Sequence, residues 1–308
     1  MATFKVKGGI KLKGDLHPQG AKNEALQVLC AVLLTPEEVR MENVPNIRDV
    51  NILIDLLRDL NVTVNKLDES TYNFKADNVD VDYLSSEDYK TKSSRIRGSI
   101  MIVGPLLARY GKGYIPKPGG DKIGRRRLDT HFIGFENLGA KFVYDSKEQF
   151  YRVTADELKG ADMLLDEASV TGTANIVMTA VMAKGKTSIY NAACEPYLQQ
   201  LCKMLNSMGA KITGVGSNLL HIEGVEYLGG CTHRILPDMI EIGSFIGLAA
   251  ITKSEITIKN VAYDELGLIP SVFAKLGIKM ERKGDDIYIP SQDSYEIHSF
   301  IDGSILTI

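Results

Sequence analysis

The stretch NAACEPYLQQLCKMLNSMGAK (residues 191–211) carries the fold in miniature. An asparagine opens a turn, an amphipathic pattern runs over 197–208, and Gly209 stops it. Glycine after a last helical turn is the usual left-handed stop, and the lysine that follows begins a strand. The helix-end text recurs as NLGAK (137–141), SMGAK (207–211) and KLGIK (275–279). Helix-ending positions fall at 61, 139, 209 and 277, in steps of 78, 70 and 68. From turn asparagine to helix end is 18 residues for 43 to 61, 18 for 191 to 209 and 17 for 260 to 277. Self-similarity on this scale implies stacked supersecondary units.

Four copies follow from that spacing. The first is an apolar helix over 24–34, a strand over 39–41, a turn at Asn43, a helix over 50–60, and strands over 62–66 and 72–76. The second runs through a helix over 98–110, a strand over 113–115, a helix over 129–138, and strands over 141–144 and 151–154. The third has its apolar helix over 173–183, a strand over 187–190, the helix over 197–208, and strands over 211–213 and 219–222. The fourth has 242–251, 255–259, 264–276, 279–282 and 287–289 in the same roles. Two short strands over 3–7 and 11–17 precede them. The first helix of each copy is apolar nearly all round, which predicts burial on every side. Pro105 is expected to kink the second of these helices, since a proline in a helix interior costs about 3 kcal/mol.

At 308 residues the chain is long enough for two domains, and 44% hydrophobic with 24% charged residues is ordinary for a globular protein. No apolar run approaches the ~20 residues of a membrane helix, and the start has no apolar signal region. The four cysteines (Cys30, Cys194, Cys202, Cys231) and five histidines are scattered without metal-type spacing. Cys30 and Cys202 lie in apolar and helical patterns and read as buried thiols. A reducing cytoplasm fits this usage.

The loop PKPGGDKIGRRR (116–127) has too many prolines and glycines for helix or strand. Over 90–127 eleven cations stand against one carboxylate, Asp121, a local charge of +10 in a chain of net charge −3; the other residues sum to −13. A cationic block in an acidic chain implies a confined anion site. A non-catalytic anion- or nucleic-acid-binding repeat protein is the alternative from another class. Against it, aromatic residues in this window are sparse for a base-stacking platform.

The segments GAKN (20–23), VGPLLARYGKG (103–113), PGGDKIGRRRLDTH (118–131), EASVTGTANI (167–176), NAACEPY (191–197) and LPDMIEIGSF (236–245) resemble the enolpyruvyl transferase family along the whole chain. The resemblance implies an α/β fold, an inside-out α/β barrel built of βαβαββ units, with two domains of three units each. Residues 21–236 would form the complete three-repeat domain carrying the catalytic loop. Residues 1–20 with 237–308 would form a partial second domain, one repeat of an expected three. The chain is thus expected to match the first three quarters of a family member, without the part that supplies the sugar-hydroxyl base. On that reading the chain is an enzyme of this family that would lack the base and half the closing domain, with an inactive fragment as an alternative.

The implied activity moves the enolpyruvyl group of phosphoenolpyruvate to the 3-hydroxyl of UDP-N-acetylglucosamine, releasing phosphate. Segments 118–131 and 167–176 favour the nucleotide sugar over shikimate 3-phosphate, the acceptor of the sister enzyme. Addition then elimination needs an acid, a base and cations for phosphate and carboxylate. No metal or organic cofactor, no nucleic acid and no membrane partner is implied, and the oligomeric state is not legible. By motif, Lys22 and Asn23 meet phosphoenolpyruvate at a helix start, Arg97 binds anions between the domains, and Arg126 grips phosphate from the loop. Arg127, Leu128, Asp129 and Thr130 border the nucleotide sugar, and Glu167, Ala168, Ser169 and Val170 hold its diphosphate. Asp238 and Glu241 match an acidic pair at the crossover between domains, with a structural role. Asp121 stands where most of the family has the cysteine that supplies a proton and is alkylated by fosfomycin. An aspartate there implies fosfomycin resistance.

Overall fold

The computed structural model describes residues 3–116, 128–146, 150–299 and 303–304. The chain divides into two compact units: Lys22–Ile235, and Met1–Ala21 together with Leu236–Ile308.

The elements, in chain order, begin with β1 (Lys13–Leu16) and α1 (Lys22–Ala31), which tightens into a 3-10 turn at Val32–Leu34. Then come β2 (Glu38–Glu42), α2 (Arg48–Asp59), β3 (Thr63–Lys66) and β4 (Tyr72–Lys75). A 3-10 turn (Asp82–Ser85) and α3 (Glu87–Ser93) lead to a 3-10 segment, Arg97–Ile102, and α4 (Val103–Tyr110). The second repeat closes with β5 (Lys112–Pro116), α5 (Asp129–Asn137), β6 (Lys141–Asp145) and β7 (Phe150–Thr154). The third is β8 (Asp162–Leu164), α6 (Val170–Ala180), β9 (Lys186–Tyr190), α7 (Pro196–Ser207), β10 (Lys211–Thr213) and β11 (Leu219–Glu223). Last come β12 (Cys231–Arg234), α8 (Met239–Ile251), β13 (Glu255–Ile258), a 3-10 turn (Tyr263–Glu265), α9 (Ile269–Lys275), β14 (Glu281–Lys283) and β15 (Asp286–Ile289).

Three four-stranded sheets share one topology, with orders β12-β2-β4-β3, β10-β11-β9-β8 and β1-β13-β15-β14. In each, a short edge strand lies parallel to the central strand and the other pairings are antiparallel. The remaining sheet, β5-β7-β6, has no parallel edge among the described residues. The turn asparagines explain themselves here. Asn43, Asn191 and Asn260 all have positive φ, 57°, 57° and 52°, a region asparagine tolerates better than most residues. The amides of Asn43 and Asn191 also donate to Ile235 O (2.9 Å) and Leu165 O (3.0 Å), each just past its parallel edge strand. The helix stops at Gly139, Gly209 and Gly277 are left-handed as well.

In the larger unit, α1, α4 and α6 form the centre. Helix α6 packs against α4, α5 and α7 and touches α1, and every residue from Gly172 to Ala180 is buried. Gly104 permits this approach, because a Cβ there would lie 2.5 Å from Asn175 Oδ1. Helix α8 departs from the expectation that an apolar helix is buried on every side. Ile242, Ile246, Ala249 and Ala250 form a core with β13 and β15, yet Ile240 is 56% and Ile251 81% exposed.

Other expectations need correction. Residues 3–7 form no strand; the strand is confined to Lys13–Leu16, where Lys13 to Leu16 find a parallel partner in β13. The helix over 98–110 is a 3-10 segment followed by an α-helix. Pro105 sits in the first turn of α4, where its missing N–H has no ladder partner to lose, so no kink is imposed on a helix interior. The helix over 264–276 likewise splits into a 3-10 turn and α9, whose first turn holds Pro270. Edge strands β8 and β12 and helix α3 were not legible in the sequence. The longest repeat step, 78 residues, is the one that contains α3.

Candidate functional site

Lys22 and Asn23 are the first residues of α1. Lys22 Nζ pairs with Asp49 Oδ2 at 2.6 Å, and Arg48 and Asp49 form the first turn of α2. Arg97 opens the 3-10 segment before α4. Ser169 caps α6, its hydroxyl accepting from Gly172 N–H (3.2 Å) while its carbonyl accepts from Thr173 N–H. These positions converge on two adjoining clefts of about 390 and 470 Å³, which share Asn23, Leu26, Arg97, Gly98 and Thr171. Lys22, Arg48, Asp49 and Arg95 line the first, and Glu167, Ser169 and Val170 the second.

The electrostatics favour an anion. Four cations (Lys22, Arg48, Arg95, Arg97) face two carboxylates (Asp49, Glu167) along these walls. The helix N-termini of α1, α2, α6 and α7 contribute residues to them as well. The first N–H groups of a helix have no partner in its own ladder and carry partial positive charge, so such ends suit phosphate or carboxylate.

A buried polar network backs this wall. His131, 1% exposed, sets Nε2 3.3 Å from Thr171 Oγ1 and Nδ1 3.0 Å from Asn175 Nδ2. Asn175 accepts Gly104 N–H (2.9 Å) and donates to Ile100 O (2.9 Å). Burial, and secondarily the Arg97 charge, pulls the His131 pKa down to about 3, so the ring is neutral near pH 7.

The sequence-derived site residues divide by place. Lys22, Asn23, Arg97, Glu167, Ser169 and Val170 come together at the clefts. Ala168 is exposed beside them. Leu128 is the half-buried N-cap of α5, Asp129 its exposed first residue, and Thr130 is buried. None of these three lines the two clefts; Thr130 packs on α6, so close to Gly172 that a Cβ there would meet it at 2.8 Å. Asp121, Arg126 and Arg127 lie outside the described residues. Asp238 accepts from Ile240 and Glu241 N–H as the cap of α8, and Glu241 accepts from Gln19 N–H.

The cationic block is less uniform than its sequence suggests. Lys92 pairs with Asp59 and Asp88, Lys90 with Glu87, and Arg109 donates to the carbonyls of Leu33 and Ala76. Those carboxylates lie outside the window 90–127, so its count overstated the free charge. Of its described cations, Arg95 and Arg97 line the clefts. Arg48, Asp49, Thr171 and His131 were not singled out from the sequence. Their one sequence cue was position: beside the turn that opens α2, and inside the quoted motifs EASVTGTANI and PGGDKIGRRRLDTH.

The model of the family "EPSP synthase (3-phosphoshikimate 1-carboxyvinyltransferase)" matches residues 6–300. The chain belongs to that enolpyruvyl transferase family. A Bacteroides fragilis protein named UDP-N-acetylglucosamine 1-carboxyvinyltransferase is 66% identical over all 308 residues, and the chain spans 71% of its length. Relatives of the same name from Porphyromonas gingivalis and Borreliella burgdorferi are 60% and 43% identical, with 71% and 70% of their lengths covered. Among solved structures, the enolpyruvyl transferase NikO from Streptomyces tendae superposes with a TM-score of 0.80 at 18% identity, covering 93% of this chain and 67% of that one. An EPSP synthase from Acinetobacter baumannii gives 0.67 at 16% identity, with 91% and 65% covered. The fold is accordingly the α/β fold of enolpyruvyl transferases, built here of four repeats.

Proposed function

We propose that the chain carries the larger substrate-binding part of a UDP-N-acetylglucosamine enolpyruvyl transferase of peptidoglycan synthesis. The observation that carries this reading is the convergence of Lys22, Asn23, Arg97 and the α6 N-terminus on adjoining clefts, in a chain 66% identical to a protein of that name. Lys22 and Arg97 hold the phosphate and carboxylate of phosphoenolpyruvate, with Arg126 closing on the phosphate. The N-terminus of α6, with Glu167, Ala168, Ser169 and Val170 before and within its first turn, takes the diphosphate of the nucleotide sugar. Arg127, Leu128, Asp129 and Thr130 are the residues of the motif that border the nucleotide sugar on this reading.

In the reaction the 3-hydroxyl gives its proton to a base and its oxygen bonds to C2 of phosphoenolpyruvate as an acid delivers a proton to the C3 methylene. Loss of a C3 proton and of phosphate then restores the double bond. Clustered cations stabilise both charged groups throughout. Asp121 is the proton donor of this scheme. A free aspartate is ionised near neutral pH, with a reference pKa of about 3.9, so the anionic substrate beside it must favour its acid form. Both substrates are charged metabolites, which makes the cytoplasm the site of action and places the product in cell-wall growth and division.

Titration calorimetry with the two candidate acceptors tests the assignment. UDP-N-acetylglucosamine is expected to bind and shikimate 3-phosphate to give no heat; the reverse would move the chain to the sister activity. Fosfomycin should not inactivate a protein bearing Asp121 with the full length of the relatives, and Asp121→Cys should create sensitivity.

A further inference from the structure

The amide of Asn175 fixes a proton elsewhere. Its Oδ1 must be the atom that accepts Gly104 N–H, and its Nδ2 the atom that donates to Ile100 O. Both backbone partners have only one role available, so the amide has only one orientation. Nδ2 therefore also donates to His131 Nδ1, which must be the unprotonated ring nitrogen. In a neutral imidazole the proton then resides on Nε2, and Nε2–H donates to Thr171 Oγ1. With its oxygen occupied as an acceptor, the Thr171 hydroxyl keeps its own proton to give, and Thr171 lines both clefts.

We infer that Thr171 is a further substrate contact, an oriented hydroxyl donor to a diphosphate oxygen of the nucleotide sugar, and that His131 is the positioning residue that sets its direction. The ligand rests on the function proposed above; the hydrogen-bond relay does not. Thr171 is the second residue of α6, so its hydroxyl stands at the same helix end as the N–H groups of Val170 and Thr171. The N–H groups of Gly172 and Thr173 are taken by Ser169, which leaves the first two for the ligand. The relay also couples the two substrate positions. Asn175 ties α6 to Ile100, within the 3-10 segment that Arg97 opens. A neutral ring suits this place, since a protonated one would put a buried cation near the half-buried Arg97.

Two measurements on the 308-residue chain test the inference. In a long-range ¹H–¹⁵N spectrum of its five histidines, with His131 assigned by its loss in His131→Gln, the ring should show protonated Nε2 and unprotonated Nδ1 at pH 7. Protonation on Nδ1 overturns the relay. By calorimetry, Thr171→Val should weaken UDP-N-acetylglucosamine about tenfold, Thr171→Ser should stay within about twofold, and His131→Gln should fall between them, with unchanged far-UV circular dichroism in each. Binding by Thr171→Val within twofold of the parent overturns the contact. If the parent chain itself fails to bind the nucleotide sugar, the function proposed above falls and takes the diphosphate contact with it, while the spectrum still decides the relay.

Discussion

The same kind of apolar helix meets two fates in this molecule. In the unit Lys22–Ile235, α6 is buried along nine consecutive residues, because α4, α5 and α7 surround it. In the other unit α8 has as apolar a sequence, MIEIGSFIGLAAI, but packs one face on β13 and β15 and leaves Ile240 and Ile251 exposed. Apolarity all round a helix thus states a demand for neighbours. A single repeat supplies a sheet for one face only, and three repeats together supply the rest.

Side-chain truncation should break the symmetry between the units most visibly. Leu29→Ala, at a fully buried position of α1, is expected to cost about 2–5 kcal/mol in denaturant unfolding. Ile251→Ser in α8 should stay within about 0.5 kcal/mol; equal losses would mean that α8 is as enclosed as α1. Next in size, Gly104→Ala forces a methyl group against Asn175 and should cost about 1–3 kcal/mol. No comparable loss is expected for Ala at Gly247 of α8, where nothing lies within 4 Å of the added Cβ.

The His131 relay makes the larger unit sensitive to acid. Its folded pKa, about 3, is below the unfolded value of about 6.5, so the unfolded chain binds the proton more readily. The stability it contributes is complete above about pH 6.5 and falls as pH drops toward 3. His131→Gln should flatten that part of the profile, followed by circular dichroism because the chain has no tryptophan. Ser169→Ala removes the α6 cap hydrogen bond and should cost about 1 kcal/mol.

What was legible in the sequence follows from physics that acts locally. The left-handed glycines 139, 209 and 277 and the turn asparagines 43, 191 and 260 need special backbone angles, and few residue types supply them, so the repeat shows through. Strands β8 and β12, DML and CTHR, gain their form only from the parallel partner strand brought to them by the fold, and no local pattern announces them. The same holds for the site. Lys22, Asn23, Arg97 and Ser169 sit in recognisable motifs. Asp49 is a carboxylate known only by its 2.6 Å approach to Lys22, and His131 matters through contacts with residues 40 and 44 positions away.

Hydrogen-exchange mass spectrometry with UDP-N-acetylglucosamine and phosphoenolpyruvate tests the placement of the site most directly. Slowed exchange is predicted at the start of α1, across 95–102 and at the start of α6, with the β1-β13-β15-β14 sheet unaffected. Protection confined to that sheet, or none at the three segments, would contradict it.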